Sequence, residues 1–176
     1  MAIRKYVVLV ALGFFLYGCA SDVTVRMRPQ GYTAAPRSEL LAEVRVRDLR
    51  DLEASISKRE AAFGVPMGHV RFDPPEVQLV KDALEQELTM LLREKGSSSK
   101  KSFSCDLYEF CANTNTTPLY WDVIGRVRLV LKSAEKENEL FGTHTVRTYV
   151  WPSESIIKQA MEESLKQVVA GLKAAV

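Results

Sequence analysis

Three cysteines, two histidines and a few acidic pairs are the residues of this 176-residue chain that could do chemistry. Cys105 and Cys111 stand six positions apart. In an oxidising compartment an even pair of cysteines reads as a disulfide. Bridged Cα atoms lie within about 7 Å of each other, whereas six residues of extended strand span roughly 20 Å. A bridge therefore needs the chain to turn between them. The alternative is two buried free thiols packing as small apolar side chains. No further His or Cys stands nearby to complete a metal site, so no metal is expected. His69 falls in an irregular stretch and His144 in a strand-like one. Each reads as a structural or surface residue; catalysis would need one of them within hydrogen-bond reach of a Ser or a carboxylate. Glu162 and Glu163 read as the solvated face of a helix. The sequence carries no phosphate-cradling Gly-rich loop, no nucleophile elbow and no His-Glu-x-x-His helix. No catalytic residue and no cofactor is expected.

The third cysteine is the most informative. Arg4 and Lys5 open the chain, an apolar run follows from Tyr6 to Tyr17, and Gly18-Cys19 closes it. A dozen apolar residues are short for a membrane-spanning helix, which needs about 20. A basic start, a short apolar middle and a small residue are the layout of an export signal. A Cys directly after the small residue resembles the lipobox of bacterial lipoproteins, in which that Cys is acylated and becomes the first residue of the mature chain. The usual box has a small residue where Tyr17 stands. By resemblance to lipoprotein sorting, Ala20 after the Cys, in place of Asp, suggests the outer membrane. Residues 1–18 then form the signal peptide, 19–38 a tether with Pro29, Gly31 and Pro36 among polar residues and a short strand at Val23 to Met27, and 39–176 a single domain. Arg4 and Lys5 leave with the signal. Of 24 basic and 22 acidic residues, 22 of each remain. A neutral body has no long-range field to gather phosphates, so no nucleic-acid partner is expected.

The elements that would position these residues follow from periodicity. Glu43 to Asp48 alternates, with Val44 and Val46 on one face. Residues 49–72 hold no sustained period and carry Gly64, Pro66 and Gly68, so they read as a loop with a short strand near Val70 to Phe72. Asp73-Pro74-Pro75-Glu76 resembles a capping box. Val77, Val80, Leu84, Leu88 and Leu91 then form a helical stripe, which ends at Gly96. Ser102 to Phe110 and Trp121 to Leu131 read as strands, with Val123, Val127 and Leu129 on one side of the second and Arg126 and Arg128 on the other. Leu140 to Trp151 reads as the returning strand, stopped by Pro152, and Ser153 caps a last helix with Leu165 in mid-stripe. Alternating strands and two amphipathic helices imply an α+β domain: a two-layer sandwich with a small, mostly antiparallel sheet and both helices on one face.

Two segments could recognise something. Asp48 and Arg50 sit where a strand runs out, as an ion pair fixing the loop or as a recognition edge. Arg147-Thr148-Tyr149-Val150-Trp151-Pro152-Ser153 is either a core corner or an aromatic-plus-Arg surface of the kind partners use. If helices cover the Val and Leu side of the sheet, Arg126 and Arg128 look to solvent and, with Arg147 and Tyr149, form the candidate partner surface.

Together, the lipobox, the Val-x-Val-x-Asp-x-Arg strand at 44–50, the helix at 73–95 and the Arg-Thr-Tyr-Val-Trp-Pro-Ser lead into the last helix resemble YajG-type and related small envelope lipoproteins. The resemblance covers most of residues 40–175. It implies a fold like the small α/β domains of curli-secretion, lipopolysaccharide-assembly and TolB-type envelope proteins, with no cofactor and no active site. Three functions are expected in descending order. The first is a non-enzymatic, lipid-anchored accessory to an envelope complex, with the membrane and a protein as partners. The second is a periplasmic lipid- or glycan-binding module, and the third a hydrolase.

Overall fold

The computed structural model describes residues 22–27, 39–60, 65–134 and 136–175. The signal segment, Cys19 and residues 28–38 of the expected tether lie outside them.

The fold is α+β, with two mixed sheets. The elements are β1 (Val23–Arg26), β2 (Ala42–Asp48), a single helical turn α1 (Leu52–Ser55), β3 (Ser57–Glu60), β4 (Pro66–Asp73), α2 (Glu76–Glu94), β5 (Lys101–Thr116), β6 (Trp121–Lys132), β7 (Glu137–Thr148) and α3 (Glu154–Ala175). The small sheet runs β1-β4-β3 and the large one β2-β5-β6-β7. The expected single sheet is corrected to two; three of the five strand pairings are antiparallel, as expected, and two are parallel. β5, β6 and β7 are the antiparallel meander that short turns allow. β2 reaches β5 only after α2 has crossed, and a connection of that length permits the parallel pairing seen there.

The stretch 49–72 is not a loop. It holds α1, β3 and most of β4. β3 reads Ser-Lys-Arg-Glu, so its two inward residues, Ser57 and Arg59, are polar and no apolar alternation marks the strand. Pro66 opens β4, where a missing amide costs no ladder bond. Gly68 takes φ +97°, a conformation that an L side chain rarely adopts. The short strand expected inside the tether forms, as β1. β1 pairs in parallel register with β4, Val23 opposite Val70 and Arg26 opposite Asp73, so this strand begins only four residues past Cys19.

Both long helices form where the stripes place them. Leu84 is fully buried and Leu165 nearly so, among one continuous core that also takes in Val25, Phe72, Leu107, Phe110, Val127 and Leu129. The helix start at 73 is displaced: Asp73 belongs to β4, the N-cap is Pro75, and no side chain caps α2. α3 packs on β6, β7 and β1, and α2 against β2. The approach of α3 to the sheet depends on two glycines. A Cβ on Gly125 would lie 2.5 Å from the Ala160 carbonyl oxygen, and one on Gly142 would come closer still to that of Ser164. Ser164 seals the contact, its hydroxyl donating to the Gly125 carbonyl at 2.9 Å.

One irregularity decides which face each β5 residue sees. A bulge between Leu107 and Glu109 inserts one residue. Before it, Phe103, Cys105 and Leu107 point into the core; after it, Phe110, Ala112 and Thr114 do. A bulge shifts the two-residue alternation by one.

Candidate functional site

The core-directed face of the large sheet is filled by apolar side chains, and pleat alternation sends the polar residues of β2, β5, β6 and β7 to the other face. There they form an ion-pair ladder. Asp106, itself buried, accepts from Arg47 Nε at 2.6 Å and Nη2 at 2.7 Å, and Lys132 Nζ stands 3.2 Å from its other side. The Arg47 hydrogen bond, with Lys132 behind it, holds the Asp106 carboxyl below the ordinary range. Lys132 also meets Glu137 at 3.4 Å. Arg128 Nε donates to Glu139 at 2.7 Å and lies over the ring of Tyr108, and Arg126 faces Glu109 at 3.7 Å. Arg147 clamps Asp122 through two bonds of 2.8 and 3.0 Å, which lowers the Asp122 pKa. Each expected cation of the partner surface is therefore half-exposed and already paired. The face is charged and locally neutral, a chemistry suited to matching a complementary polar surface.

The cysteines fall on opposite sides of the sheet because of the bulge. Cys105 is in the core; Cys111 is buried on the polar side, its thiol 3.5 Å from Glu109 Oε1. β5 runs extended between them, without the turn that a bridge requires, and both thiols are free. Burial pushes each thiol up to about 12, with Asp106 adding to it for Cys105 and Glu109 for Cys111. These are protonated, unreactive groups.

Beside Cys111 lies a cleft of about 390 Å³, which sequence reasoning missed. Its walls come from α1 and β3 on one side (Asp51, Lys58, Glu60) and from β5 and β6 on the other (Glu109, Asn113, Arg126). One wall comes from the stretch 49–60, whose sequence has no sustained period, and the other depends on the bulge that turns Glu109, Cys111 and Asn113 to the same side as Arg126. The lining is polar, with both signs of charge.

The remaining candidates are scattered. His69 is exposed, its Nδ1 3.5 Å from Asp22. The same carboxylate accepts from the His69 amide at 3.0 Å and from Arg71 at 3.1 Å, which makes this group a staple of β1 to β4. His144 is half-buried in β7 opposite Gly125. The expectation of a solvated Glu162-Glu163 face is half corrected: Glu163 pairs with Lys166, but Glu162 is buried, and burial raises its pKa. The Asp48–Arg50 ion pair forms, with two bonds of 2.8 Å, and Arg50 also reaches the Phe110 carbonyl at 3.5 Å. That ties the end of β2 to β5 next to the bulge.

At the corner 147–153 the expected strand end at Trp151 is corrected, and of the two readings of its aromatics the exposed one is seen. β7 stops at Thr148, whose hydroxyl accepts the Val150 amide at 3.2 Å, so the chain bends before Tyr149. Tyr149, Val150 and Trp151 are consequently exposed and not core aromatics. Tyr149 meets Tyr120 edge-on at 6.3 Å, Trp151 meets Trp121 at 5.9 Å, and Arg147 stacks over Tyr120 at 3.9 Å. The four residues of the expected partner surface thus separate: Arg126 and Arg128 lie mid-sheet, Arg147 and Tyr149 at its end.

Among the described residues no group of three or more His, Cys, Asp or Glu could hold a metal, and no helix is long and apolar enough to cross a membrane. No family model and no curated protein matches the chain. Among solved structures, the crystal structure of an uncharacterised protein is similar at a TM-score of 0.51 and 8% identity, covering 88% of this chain and 98% of that one. A likeness at that identity shows the fold alone.

Proposed function

We propose that this chain is a lipid-anchored, non-enzymatic lipoprotein of the bacterial envelope, akin to the YajG-type proteins, and an accessory in assembling or stabilising an envelope complex. Acylated Cys19 holds it at the periplasmic face of the outer membrane. The observation that carries this reading is the basic–apolar–Gly18–Cys19 start, followed three residues later by Asp22 and a strand built into the fold. Both long helices cover one face of the sheets in a two-layer sandwich, which leaves the opposite face, with Arg126 and Arg128, for a protein partner. Half-exposed arginines favour such a surface, since Arg is a common interface anchor.

The polar cleft beside Cys111 supports a second reading, a periplasmic binding module. Its volume falls in the range of ligand pockets, and its charged lining favours a glycan over a lipid.

The anchor is tested by Cys19→Ser. Several acyl chains make attachment stable where one does not. The variant should accumulate unprocessed or leave the membrane fraction; a mutant processed normally and still membrane-bound would refute the reading. Cross-linking and capture from detergent-solubilised envelope then identifies the partner.

A further inference from the structure

The tether length and the strand register together say which end of the molecule meets the bilayer. Cys19 precedes Val23 by four residues, and an extended chain advances at most about 3.6 Å per residue, so the Cys19 Cα stays within roughly 14 Å of the start of β1. Asp22 is fixed by its bonds to His69 and Arg71, so even this length is not all slack. Because β1 is parallel to β4 with Val23 opposite Val70, the chain ahead of Val23 leads toward the Pro66 end of β4.

That end can be followed across the sheets. Pro66 pairs with Glu60, and the Glu60 amide donates to Thr114 Oγ1 at 2.7 Å while its carbonyl accepts from Thr116. Thr116 pairs with Trp121, and Trp121 with Thr148. At this one end stand Val65, Leu119, Tyr149, Val150 and Trp151, five of the nine exposed large apolar side chains among the described residues. Leu119 is 78% and Tyr149 73% exposed. The cluster is amphipathic. Arg147 lies over Tyr120 and Arg59 over Trp151, so cations stand beside the rings. Tyr and Trp rings with an apolar body and a polar tip, flanked by Arg, are the composition that settles at a membrane–water interface.

We propose that this end is the membrane-facing surface, and that Leu119, Tyr149, Val150 and Trp151 enter the phospholipid headgroup layer of the bilayer that carries the anchor. The inference rests on the lipid-anchor reading and adds an orientation to it: the domain stands with one end of its strands on the membrane, and its mid-sheet polar face, above the headgroups, looks along the bilayer.

The test uses the two tryptophans of the chain, Trp121 and Trp151, both at this end. The acylated full chain is reconstituted into vesicles of phosphatidylethanolamine and phosphatidylglycerol with brominated acyl chains. Groups at the headgroup–acyl boundary sit ~5–10 Å deep, so the emission should shift to the blue and fall by roughly half. Trp151→Phe should lose most of that quenching while keeping the wild-type circular dichroism. Tyr149→Ser with Leu119→Ser, which leaves both reporters in place, should weaken it too. Emission unquenched by bromolipid, and as open to aqueous iodide in vesicles as in detergent, overturns the orientation. So does unquenched emission together with cross-links from position 149 to a protein, which would assign the surface to that protein. The mass of the N-terminal peptide separates the two claims: a Cys19 without lipid sinks the anchor and the orientation together, whereas a lipidated but unquenched chain sinks the orientation alone.

Discussion

Replacing Gly125 by Ala tests the contact on which the core depends. The added Cβ would lie 2.5 Å from the Ala160 oxygen, 2.7 Å from its carbon and 2.8 Å from Ser164 Oγ. Comfortable contact needs about 3.5 Å, so α3 must lift by ~1 Å. A gap of that size forfeits a quarter to a half of each dispersion contact it opens, under a helix that buries Ile157, Met161, Leu165 and Leu172. Overpacking of this kind costs about 1–3 kcal/mol. Strain in the Ser164–Gly125 hydrogen bond adds to it, at ~0.5–1.5 kcal/mol for the whole bond. The stiffer unfolded chain returns about 0.4–1 kcal/mol. The net expectation is a loss of ~2–3 kcal/mol, which lowers Tm by roughly 4–12 °C for a chain of this size. Urea unfolding should show a lower midpoint at constant slope. Gly171→Ala is the control. Its Cβ meets only the flexible end of Leu140, at 3.0 Å, and a helix-interior glycine gains about 0.8–1 kcal/mol on becoming alanine. If Gly125→Ala proves as benign as Gly171→Ala, α3 does not lie on β6 as described.

Four further outcomes follow from the same geometry. Cys105 and Cys111, pushed up to about 12 by burial, should resist thiol reagents at pH 8 until the protein unfolds; a native thiol that reacts as fast as an exposed one would refute their placement. The unfolded thiols ionise from about pH 8.5 upward while the folded ones keep their protons, so the unfolded state binds fewer protons and the urea midpoint should fall between about pH 9 and 12. Arg126→Glu with Arg128→Glu replaces two exposed pairs, each worth ~0.2–1 kcal/mol, by repulsion with Glu109 and Glu139; the protein should stay folded, and a partner captured equally well by the double mutant would remove the mid-sheet face from consideration. Leu84→Ala and Leu165→Ala should each cost ~2–5 kcal/mol, and an unmoved denaturant midpoint would show the helix stripes to be misassigned.

Local periodicity was enough for the parts of the fold that bury a regular apolar pattern. The α2 and α3 stripes and the Val123–Val127–Leu129 face of β6 are examples, because one face against one core leaves a readable signature. β3 left none: its inward Ser57 and Arg59 are polar, and what holds the strand in place is contact with β4 and β5, far off in sequence. β1 is a partial case: a short strand is readable at Val23 to Met27, but its parallel partner β4 is far off in sequence. The candidate surface was legible in composition but not in placement. Arg126 and Arg128 face away from the apolar side as alternation requires. Whether Tyr149 and Trp151 lie in the core or on the surface is undecided by pattern, because Thr148 ends β7 with a side-chain turn that no pattern of apolar residues announces. The cleft beside Cys111 depends on one inserted residue in β5, and period counting cannot see a bulge until the partner strand sets the register.

The seam between the two sheets has a mechanical consequence. β3 lies along the second half of β5, yet the bonds that join them run through side chains. The Lys58 amide donates to Asn113 Oδ1 at 3.1 Å, the Glu60 amide to Thr114 Oγ1, and the Ala112 amide to Ser57 Oγ at 2.9 Å. Side-chain acceptors can rotate away one at a time, whereas a backbone ladder opens as a unit. β1, β4 and β3 therefore form a flap hinged on this seam and held shut chiefly by apolar packing, such as that of Phe72 on Phe110 with ring centres 5.2 Å apart. Segments of this kind open with less free energy than the whole domain. Amides of β3 should exchange their hydrogens well before those of β6, and any pull on the N-terminus would reach the flap first and the meander last.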